Sequence, residues 1–128
     1  MKRKIKTALI SVSDKKNLKP LLNVLKNNKI KIISSGGTYK EIKKLKFSCL
    51  EVSKFTNSPE ILDGRVKTLH PKIHAGILNI RDKKSHMDDL KLQKFEDIDL
   101  VVVNFYPFEE ILKVTKNHKK VIENIDIG

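Results

Sequence analysis

Three short segments of this chain are mostly apolar without alternation, and each leads into a polar turn and then a stretch of helical periodicity. The segments are Lys6–Ser11, Lys29–Ile33 and Asp99–Phe105. Continuous apolar runs of this length are typical of parallel strands that helices cover on both faces. Strands that alternate with helices form βαβ units. The sequence therefore predicts an α/β fold, a three-layer sandwich built around a mainly parallel sheet.

The remaining segments supply the connecting elements. A third strand is predicted at Phe47–Val52, and the stretch Ser53–Gly76 has no period and is expected to be irregular up to the short apolar pair Ile77-Leu78. Helices are predicted from Asp14 to about Asn28, around Ile42 and Leu45, and over Lys84–Phe95, Pro107–Val114 and His118–Asn124. Core-facing helical side chains are expected at Leu18, Leu21, Leu22, Leu25, Met87, Leu90 and Leu92.

Length and composition exclude several classes of protein. A chain of 128 residues fits one domain with a real core. It has no apolar run of about 18 residues, and the apolar stretch after the basic N-terminus is too short for a signal peptide. The single cysteine, Cys49, excludes an internal disulfide and a cysteine-based metal cluster. We therefore expect a cytoplasmic protein with no membrane association.

The chain is strongly basic, with a formal net charge of +12. The basic residues are 24 lysines spread along the sequence and only three arginines. A dedicated nucleic-acid surface tends to use arginine and to concentrate its charge. We therefore expect no nucleic-acid partner and attribute the lysines mainly to compositional bias. The positive field should nevertheless attract phosphorylated metabolites.

Two of the predicted strands are followed by residues suited to hold a phosphate group. Glycines let the backbone approach an oxyanion closely, and the first N–H groups of the next helix are unpaired. The alternative is that these residues are only turns and caps, with Thr38 capping the second helix and Ser13 or Asp14 the first. The pattern is neither GxGxxG nor a Walker A loop. The candidate phosphate ligands are Ser11, Ser13, Lys15, Ser34, Gly36, Gly37 and Thr38.

The segment Asp63–Gly76 brings many cations together. A basic loop punctuated by glycine and proline is typical of an anion site. His70 and His74 have the spacing of helical metal ligands, but Pro71 argues against a helix, and no HExxH pattern or nearby cysteine supports a metal. His70 is expected to make a structural hydrogen bond or to contact a ligand. The basic residues of the segment are Arg65, Lys67, His70, Lys72 and His74.

Two further polar groups lie near the ends of apolar segments. Asn104 and Tyr106 close the Asp99–Phe105 strand, where they are expected to project into a crevice, although a half-buried core role is equally open for Tyr106. Asp126 lies between two isoleucines and is either a cap or a functional carboxylate. The sequence does not choose between these alternatives.

Taken together, these motifs resemble one known family over nearly the whole chain and in the same order. The resemblance is to the N-terminal IMP cyclohydrolase domain of the bifunctional purine biosynthesis protein, which has a methylglyoxal-synthase-like fold. The block around DGRVKTLHPKIHAGIL is specific to that family, whereas SGGT is shared with other proteins of this fold. The matching segments are SVSDK (Ser11–Lys15), SSGGTYKEI (Ser34–Ile42), Glu51–Leu78, DLVVVNFYPF (Asp99–Phe108) and ENIDIG (Glu123–Gly128).

The resemblance implies a reaction and assigns roles. The reaction closes the pyrimidine ring of 5-formamidoimidazole-4-carboxamide ribonucleotide to IMP with loss of water, without a metal or organic cofactor. By resemblance, the candidates for proton transfer and charge stabilisation are Lys67, Tyr106 and Asp126. The candidate phosphate ligands named above are joined by further substrate-binding residues, namely Arg65, Thr68, Asn104, Ile127 and Gly128.

Several expectations follow from where the chain departs from the family. The family pattern continues beyond Gly128 with a second glycine, a helix and an active-site lysine, and a transformylase domain follows. We therefore expect residues 1–128 to be an incomplete cyclohydrolase domain with weak or no turnover, and a homodimer is possible by resemblance. Two alternatives stay open: a methylglyoxal-synthase-type lyase acting on dihydroxyacetone phosphate, and a non-catalytic nucleotide-sensing module as in carbamoyl-phosphate synthetase.

Overall fold

The computed structural model describes residues 2–104, 113, 117 and 119. In these residues a single four-stranded sheet has the order β3-β2-β1-β4, and every neighbouring pair is parallel. The predicted α/β class with a parallel sheet is therefore confirmed. The elements are β1 Thr7–Ser11, α1 Leu18–Asn27, β2 Lys31–Ser34, α2 Gly36–Lys44, β3 Leu50–Glu51, α3 Val52–Thr56, α4 Pro71–Leu78, α5 Lys84–Gln93 and β4 Leu100–Val103.

The helices form two layers, one on each face of the sheet. Successive side chains of a strand point to opposite faces. Ala8 and Ile10 of β1 accordingly pack against α1 and α2, while Leu9 belongs to a second core with α3 and α4. This two-sided burial is why β1 is apolar at consecutive positions. The predicted three-layer sandwich is confirmed.

Strand β4 is buried on one face only. Leu100 and Val102 pack against the α1/α2 core. Val101 and Val103 point the other way and are 40% and 63% exposed. The expectation that helices cover both faces of this strand is therefore not met in the described part of the chain, although the strand itself is confirmed.

The stretch that the sequence predicted to be irregular contains two helices. Helix α3 has five residues, too few to show a period, and it contributes Val52 and Phe55 to the core. Helix α4 begins at Pro71, where the missing N–H costs nothing because first-turn N–H groups have no intrahelical partner. The argument from Pro71 against a helix is therefore wrong, and Ile77 and Leu78 belong to α4.

Helix α1 begins later than predicted, and neither expected cap is used. The Asp14 carboxylate accepts a hydrogen bond from the Lys16 N–H at 2.9 Å, which forms a turn before the helix. Asn17 takes a left-handed conformation with φ of 59°, and the helix follows it. The predicted start at Asp14, and capping by Ser13 or Asp14, are thus wrong. The buried positions Leu18, Leu22 and Leu25 are as predicted.

Helix α5 forms where it was predicted but does not contribute to the core. None of its residues is buried, and Met87 and Leu92 are 47% and 79% exposed. The inward orientation expected for these two side chains is wrong. Within the described residues, no helix has both the length and the apolar character needed to cross a membrane. The helices predicted at Pro107–Val114 and His118–Asn124 lie outside the described residues.

Candidate functional site

Three strands end side by side at one edge of the sheet. Ser11 ends β1, Ser34 ends β2 and Val103 ends β4. In parallel sheets, ligands bind in the crevice beyond these carboxyl ends. The candidate phosphate ligands follow β1 and β2, so the fold brings them to one place.

Asn104 fixes the loop that follows β1. Its side-chain oxygen accepts hydrogen bonds from the backbone N–H groups of Ser13 and Asp14, the latter at 3.2 Å, and its amide nitrogen donates to the Asp14 carbonyl at 3.0 Å. The prediction placed Asn104 in the crevice as a substrate ligand. The structure shows its amide holding the loop that carries Ser13 and Lys15, and the ligand role stays a prediction.

The glycine turn at the start of α2 offers backbone N–H donors that have no acceptor among the described residues. The first helical hydrogen bond of α2 runs from the Tyr39 N–H to the Ser35 carbonyl at 3.1 Å, and the Ser35 side chain makes no capping bond. The N–H groups of Gly36, Gly37 and Thr38 therefore precede the hydrogen-bonded ladder. Gly36 has a φ of 55°, which glycine adopts without strain. This arrangement suits an anion at the helix N-terminus.

The ammonium groups of two lysines lie close to this glycine turn. The Lys67 Nζ lies 3.0 Å from the position that a Cβ on Gly36 would take. The Lys15 Nζ lies 3.6 Å from the equivalent position at Gly37. Lys15 is held there by hydrogen bonds to the carbonyl oxygens of Val12 at 3.0 Å and Ser13 at 3.4 Å. Two cations and the donors of a helix start thus converge on one small space.

Two of the predicted hydroxyl ligands already have structural partners. The Ser34 hydroxyl is fully buried and donates to the Ile10 carbonyl at 2.6 Å. The Thr38 hydroxyl donates to the Val12 carbonyl at 3.0 Å and accepts from the Val12 N–H at 3.1 Å. Thr38 lies within α2, so its alternative role as a cap is wrong. These hydroxyls connect β2 and α2 to the end of β1.

The hydroxyl groups of Ser11 and Ser13 make no hydrogen bond within the described residues. Both residues are half-buried at the sheet edge. Their position agrees with the predicted binding role, which the structure leaves as a prediction. A ligand in the crevice would therefore meet backbone N–H groups, two serine hydroxyls and two ammonium groups.

Lys67 is carried by a tight hairpin. Ile61 and Val66 form an antiparallel bridge, with their backbone N–H and carbonyl groups paired at 3.1 and 3.2 Å. Leu62, Asp63 and Gly64 between them all have positive φ values, 54°, 57° and 81°. Non-glycine residues in this conformation each cost on the order of 1 kcal/mol, and such strain is common at functional sites. An irregular loop was predicted here from the sequence, without use of the Asp63-Gly64 pair, which is a turn signal.

The other predicted ligands of the basic segment lie close to this hairpin. Arg65 is exposed, and its backbone N–H donates to the Leu62 carbonyl at 3.1 Å. Thr68 is half-buried, and its carbonyl accepts from the His70 N–H at 2.8 Å. The His70 Nδ1 accepts from the Lys72 N–H at 3.0 Å and caps α4, which confirms the structural hydrogen bond expected for this histidine.

Sequence reasoning missed one polar group beside Lys67. The Glu60 carboxylate lies with its Oε2 atom 3.4 Å from the position of a Cβ on Gly64, and the Lys67 Nζ lies 4.0 Å from that position. The Oε1 atom of Glu60 is buried and has no hydrogen-bond partner among the residues that the structure describes. An isolated glutamate before a hairpin gives no sequence signal of this kind, because its burial depends on the strained turn that follows.

Two further points complete the description of the site. The predicted catalytic residues Tyr106 and Asp126, and the predicted ligands Ile127 and Gly128, lie outside the described residues. Within the described residues, no group of three or more histidine, cysteine, aspartate or glutamate side chains has the arrangement of a metal site.

Known proteins give an independent comparison. The chain is 49% identical over 127 residues to the bifunctional purine biosynthesis protein PurH of Agrobacterium fabrum, with 99% of this chain and 24% of that protein aligned. It is 53% identical over 122 residues to PurH of Prochlorococcus marinus, covering 94% and 24%, and 50% identical over 123 residues to PurH of Clostridium perfringens, covering 96% and 25%. The chain thus spans about a quarter of these curated relatives.

A solved structure and a family profile agree with this similarity. The structure described as the crystal structure of ForH is 31% identical, with a TM-score of 0.73, and the match covers 79% of this chain and 51% of that one. The profile of the MGS-like domain matches residues 17–128. The resemblance in sequence motifs and the observed parallel sandwich lead to the same assignment. The chain belongs to the MGS-like domain family.

Proposed function

We propose that this chain binds a phosphorylated purine-precursor ribonucleotide at the carboxyl edge of its sheet and acts as an IMP cyclohydrolase. The observation that carries the proposal is the closeness of two ammonium groups, those of Lys15 and Lys67, to the glycine turn. Identity near 50% with three proteins named for purine biosynthesis supports the same substrate class.

The phosphate is expected to occupy the glycine turn. Its oxygens would accept from the N–H groups of Gly36, Gly37 and Thr38, and Lys15 would neutralise its charge. The hydroxyls of Ser11 and Ser13 would add two donors. Ser34 and Thr38 would contribute indirectly, because their hydroxyls hold the surrounding backbone in position.

The base would then lie toward the hairpin, with Arg65, Lys67 and Thr68 around it. In the proposed reaction, the carboxamide nitrogen bonds to the formyl carbon, and the formyl oxygen leaves as water with one proton from each of the two nitrogens. Holding the two groups in a reactive orientation supplies much of the rate. The Lys67 ammonium would stabilise negative charge on the formyl oxygen, with Tyr106 and Asp126 as proposed proton-transfer partners.

The test is to incubate the purified chain with 5-formamidoimidazole-4-carboxamide ribonucleotide and to follow IMP by chromatography. We expect IMP to form faster than in a protein-free control, and the Lys67→Met variant to reduce that rate by at least tenfold. Lys54→Met, which alters an exposed lysine on α3, is the matched control and should retain the rate.

Binding is measured separately from turnover by thermal shift with IMP. If IMP raises the thermal midpoint of the chain but no IMP forms from the substrate, the chain is a nucleotide-sensing module and not a cyclohydrolase. Release of methylglyoxal from dihydroxyacetone phosphate would assign the lyase instead. Absence of both turnover and stabilisation would overturn the proposal.

A further inference from the structure

The net charge of this chain is confined to its first part. Residues 1–48 contain 14 lysines and arginines against two acidic residues, Asp14 and Glu41, which leaves a net charge of +12. Residues 49–128 contain 13 basic and 13 acidic residues, which leaves none. The lysines are spread along the chain, but the acidic residues that would balance them are not. Compositional bias toward lysine alone does not produce this division.

The fold gathers the first part of the chain on one side of the sheet. Helices α1 and α2 pack on the same face through Leu22 and Ile42. The outer surface of this layer carries exposed lysines whose ammonium groups make no ion pair or hydrogen bond with the described residues. We call this the α1/α2 basic face. Its lysines are Lys16, Lys19, Lys26, Lys29, Lys40, Lys43, Lys44 and Lys46.

The opposite helical layer has a different charge pattern. There the described cations are partly neutralised by neighbouring carboxylates, since Arg81 pairs with Asp97 at 3.0 Å and Lys84 with Asp88 at 2.6 Å. On the α1/α2 basic face, Glu41 is the only acidic residue between positions 15 and 48. A surface whose eight lysines have no carboxylate partner among the described residues, and which carries one acid, produces a strong positive potential.

The basic face contains a cleft at the opposite edge of the sheet from the candidate active site. Its volume is about 320 Å³. Lys26, Lys29 and Lys46 line it, around a floor that includes Phe47. The carboxyl ends of α1 and α2 point toward this edge, so the lysines also offset the negative ends of two helix dipoles. The cleft thus brings together three of the eight lysines of the face.

The composition of the face argues against a protein or membrane partner. Between positions 15 and 48, Val24 is the only large apolar side chain that is exposed. Protein interfaces centre on apolar and aromatic anchors and are depleted in lysine. A peripheral membrane helix inserts an apolar face, and the apolar face of α1 is buried in the core through Leu22 and Leu25. What remains is a partner that is bound by charge alone.

We propose that the α1/α2 basic face binds the phosphodiester backbone of nucleic acid without regard to sequence. Lysines neutralise phosphates as point charges, whereas base recognition uses arginine forks, and the face has no arginine. Phe47 is only 8% exposed, so it offers no platform for base stacking. No nucleic-acid partner was expected from the sequence, because the lysines are spread along the chain. That expectation did not consider that the acidic residues lie almost entirely after position 48.

The test measures the salt dependence of binding to a fluorescently labelled oligouridylate. We expect a dissociation constant on the order of 10⁻⁶ to 10⁻⁴ M near physiological salt. If about four lysines contact phosphates, log K should fall with log[salt] with a slope near −3, at about −0.7 per contact for a single strand. Between about 50 and 200 mM salt, the affinity should therefore fall by roughly fiftyfold.

Two quadruple variants with the same net charge separate the face from the overall charge. The face variant is Lys19→Gln, Lys26→Gln, Lys43→Gln and Lys46→Gln. The matched control is Lys54→Gln, Lys83→Gln, Lys91→Gln and Lys94→Gln, all exposed outside the face. Only the face variant should lose the steep salt slope and bind at least tenfold more weakly than the wild type.

Each other outcome overturns the proposal. Equal weakening in both quadruple variants would assign binding to net charge alone. No retention of the oligouridylate at about 50 mM salt would exclude the interaction. Tighter binding to phosphatidylserine vesicles, or to polyglutamate, would assign the face to a membrane or to an acidic protein. The outcome is independent of turnover, because none of the substituted lysines belongs to the candidate active site.

Discussion

The ammonium nitrogen of Lys67 lies 3.0 Å from the position that a Cβ atom on Gly36 would occupy. These residues are 31 positions apart in the sequence and belong to different structural units, a hairpin and a helix start. The absence of a side chain at Gly36 therefore admits Lys67 to the edge of the glycine turn. Gly36 thus has two reasons to be glycine, its positive φ and the space that Lys67 uses.

The first prediction concerns Gly36→Ala. The new methyl group would displace the Lys67 ammonium, and the left-handed backbone would add strain on the order of 1 kcal/mol. We expect IMP affinity, measured by titration calorimetry, to fall at least tenfold. The matched control is Gly37→Ala, whose Cβ would meet the Lys15 Nζ at an ordinary 3.6 Å. Equal losses in both variants would contradict the role given to the Gly36–Lys67 contact.

The second prediction concerns Asn104→Ala. Three hydrogen bonds from the Asn104 side chain hold Ser13 and Asp14 in place. The loss of each one should destabilise the loop after β1 by about 1 kcal/mol. We expect faster hydrogen exchange at these two amides and weaker IMP binding, with the thermal midpoint less affected. Asn104→Asp keeps the oxygen acceptor and should retain the slow exchange. Unchanged exchange in the alanine variant would contradict the clamp.

The parallel sheet was predictable because a strand that is buried on both faces has apolar residues at consecutive positions. Leu9 and Ile10 face different cores, so consecutive positions of β1 are apolar. Proline breaks a helix when it lies in the interior, but it is favoured at the first helical position. Helix α4 was missed because the prediction treated Pro71 as an interior residue, whereas it is the first residue of the helix. For α5, the apolar residues Met87 and Leu92 follow a helical pattern, but both side chains are exposed in the described part of the chain.

The residues of the candidate site were easier to predict than the hydrogen bonds that they make. The glycine turn and Lys67 were both identified from residue type, since glycine and cations are what an anion requires. That Thr38 hydrogen-bonds Val12, 26 positions away, depends on how α2 packs beside β1, and no local pattern encodes it. The same holds for Asn104, whose partners lie about 90 positions earlier.

The third prediction concerns Gly76→Ala in α4. A Cβ there would lie 2.8 Å from the Glu96 carbonyl oxygen and 3.0 Å from the Ile98 Cγ1 atom, so backbone would have to move. Overpacking of this kind costs about 1–3 kcal/mol. We expect the urea midpoint to fall with an unchanged m-value. The neighbouring Ala75→Ser, at a half-buried position of the same helix, should have a smaller effect.

The fourth prediction concerns pH and Cys49. Burial raises the pKa of its thiol from 9.0 to about 11, with nearby Lys43 opposing and Glu51 adding to the rise. Below pH 9 the thiol is neutral in both folded and unfolded chains, so the full stability is present. As the pH rises from 9 through 11, the unfolded chain ionises first, and the stability of the fold should decrease. The Cys49→Ala variant should lack this part of the alkaline decrease in the urea midpoint.

The same pKa rise predicts slow alkylation of Cys49 in the folded chain. The two-unit difference lowers the thiolate fraction near pH 8 by roughly a hundredfold, and thiolate is the reactive form. Iodoacetamide should therefore modify the native chain about that much more slowly than the urea-unfolded chain, when both are followed by mass spectrometry. Similar rates in the two states would show that the thiol is not protected by burial beside β3.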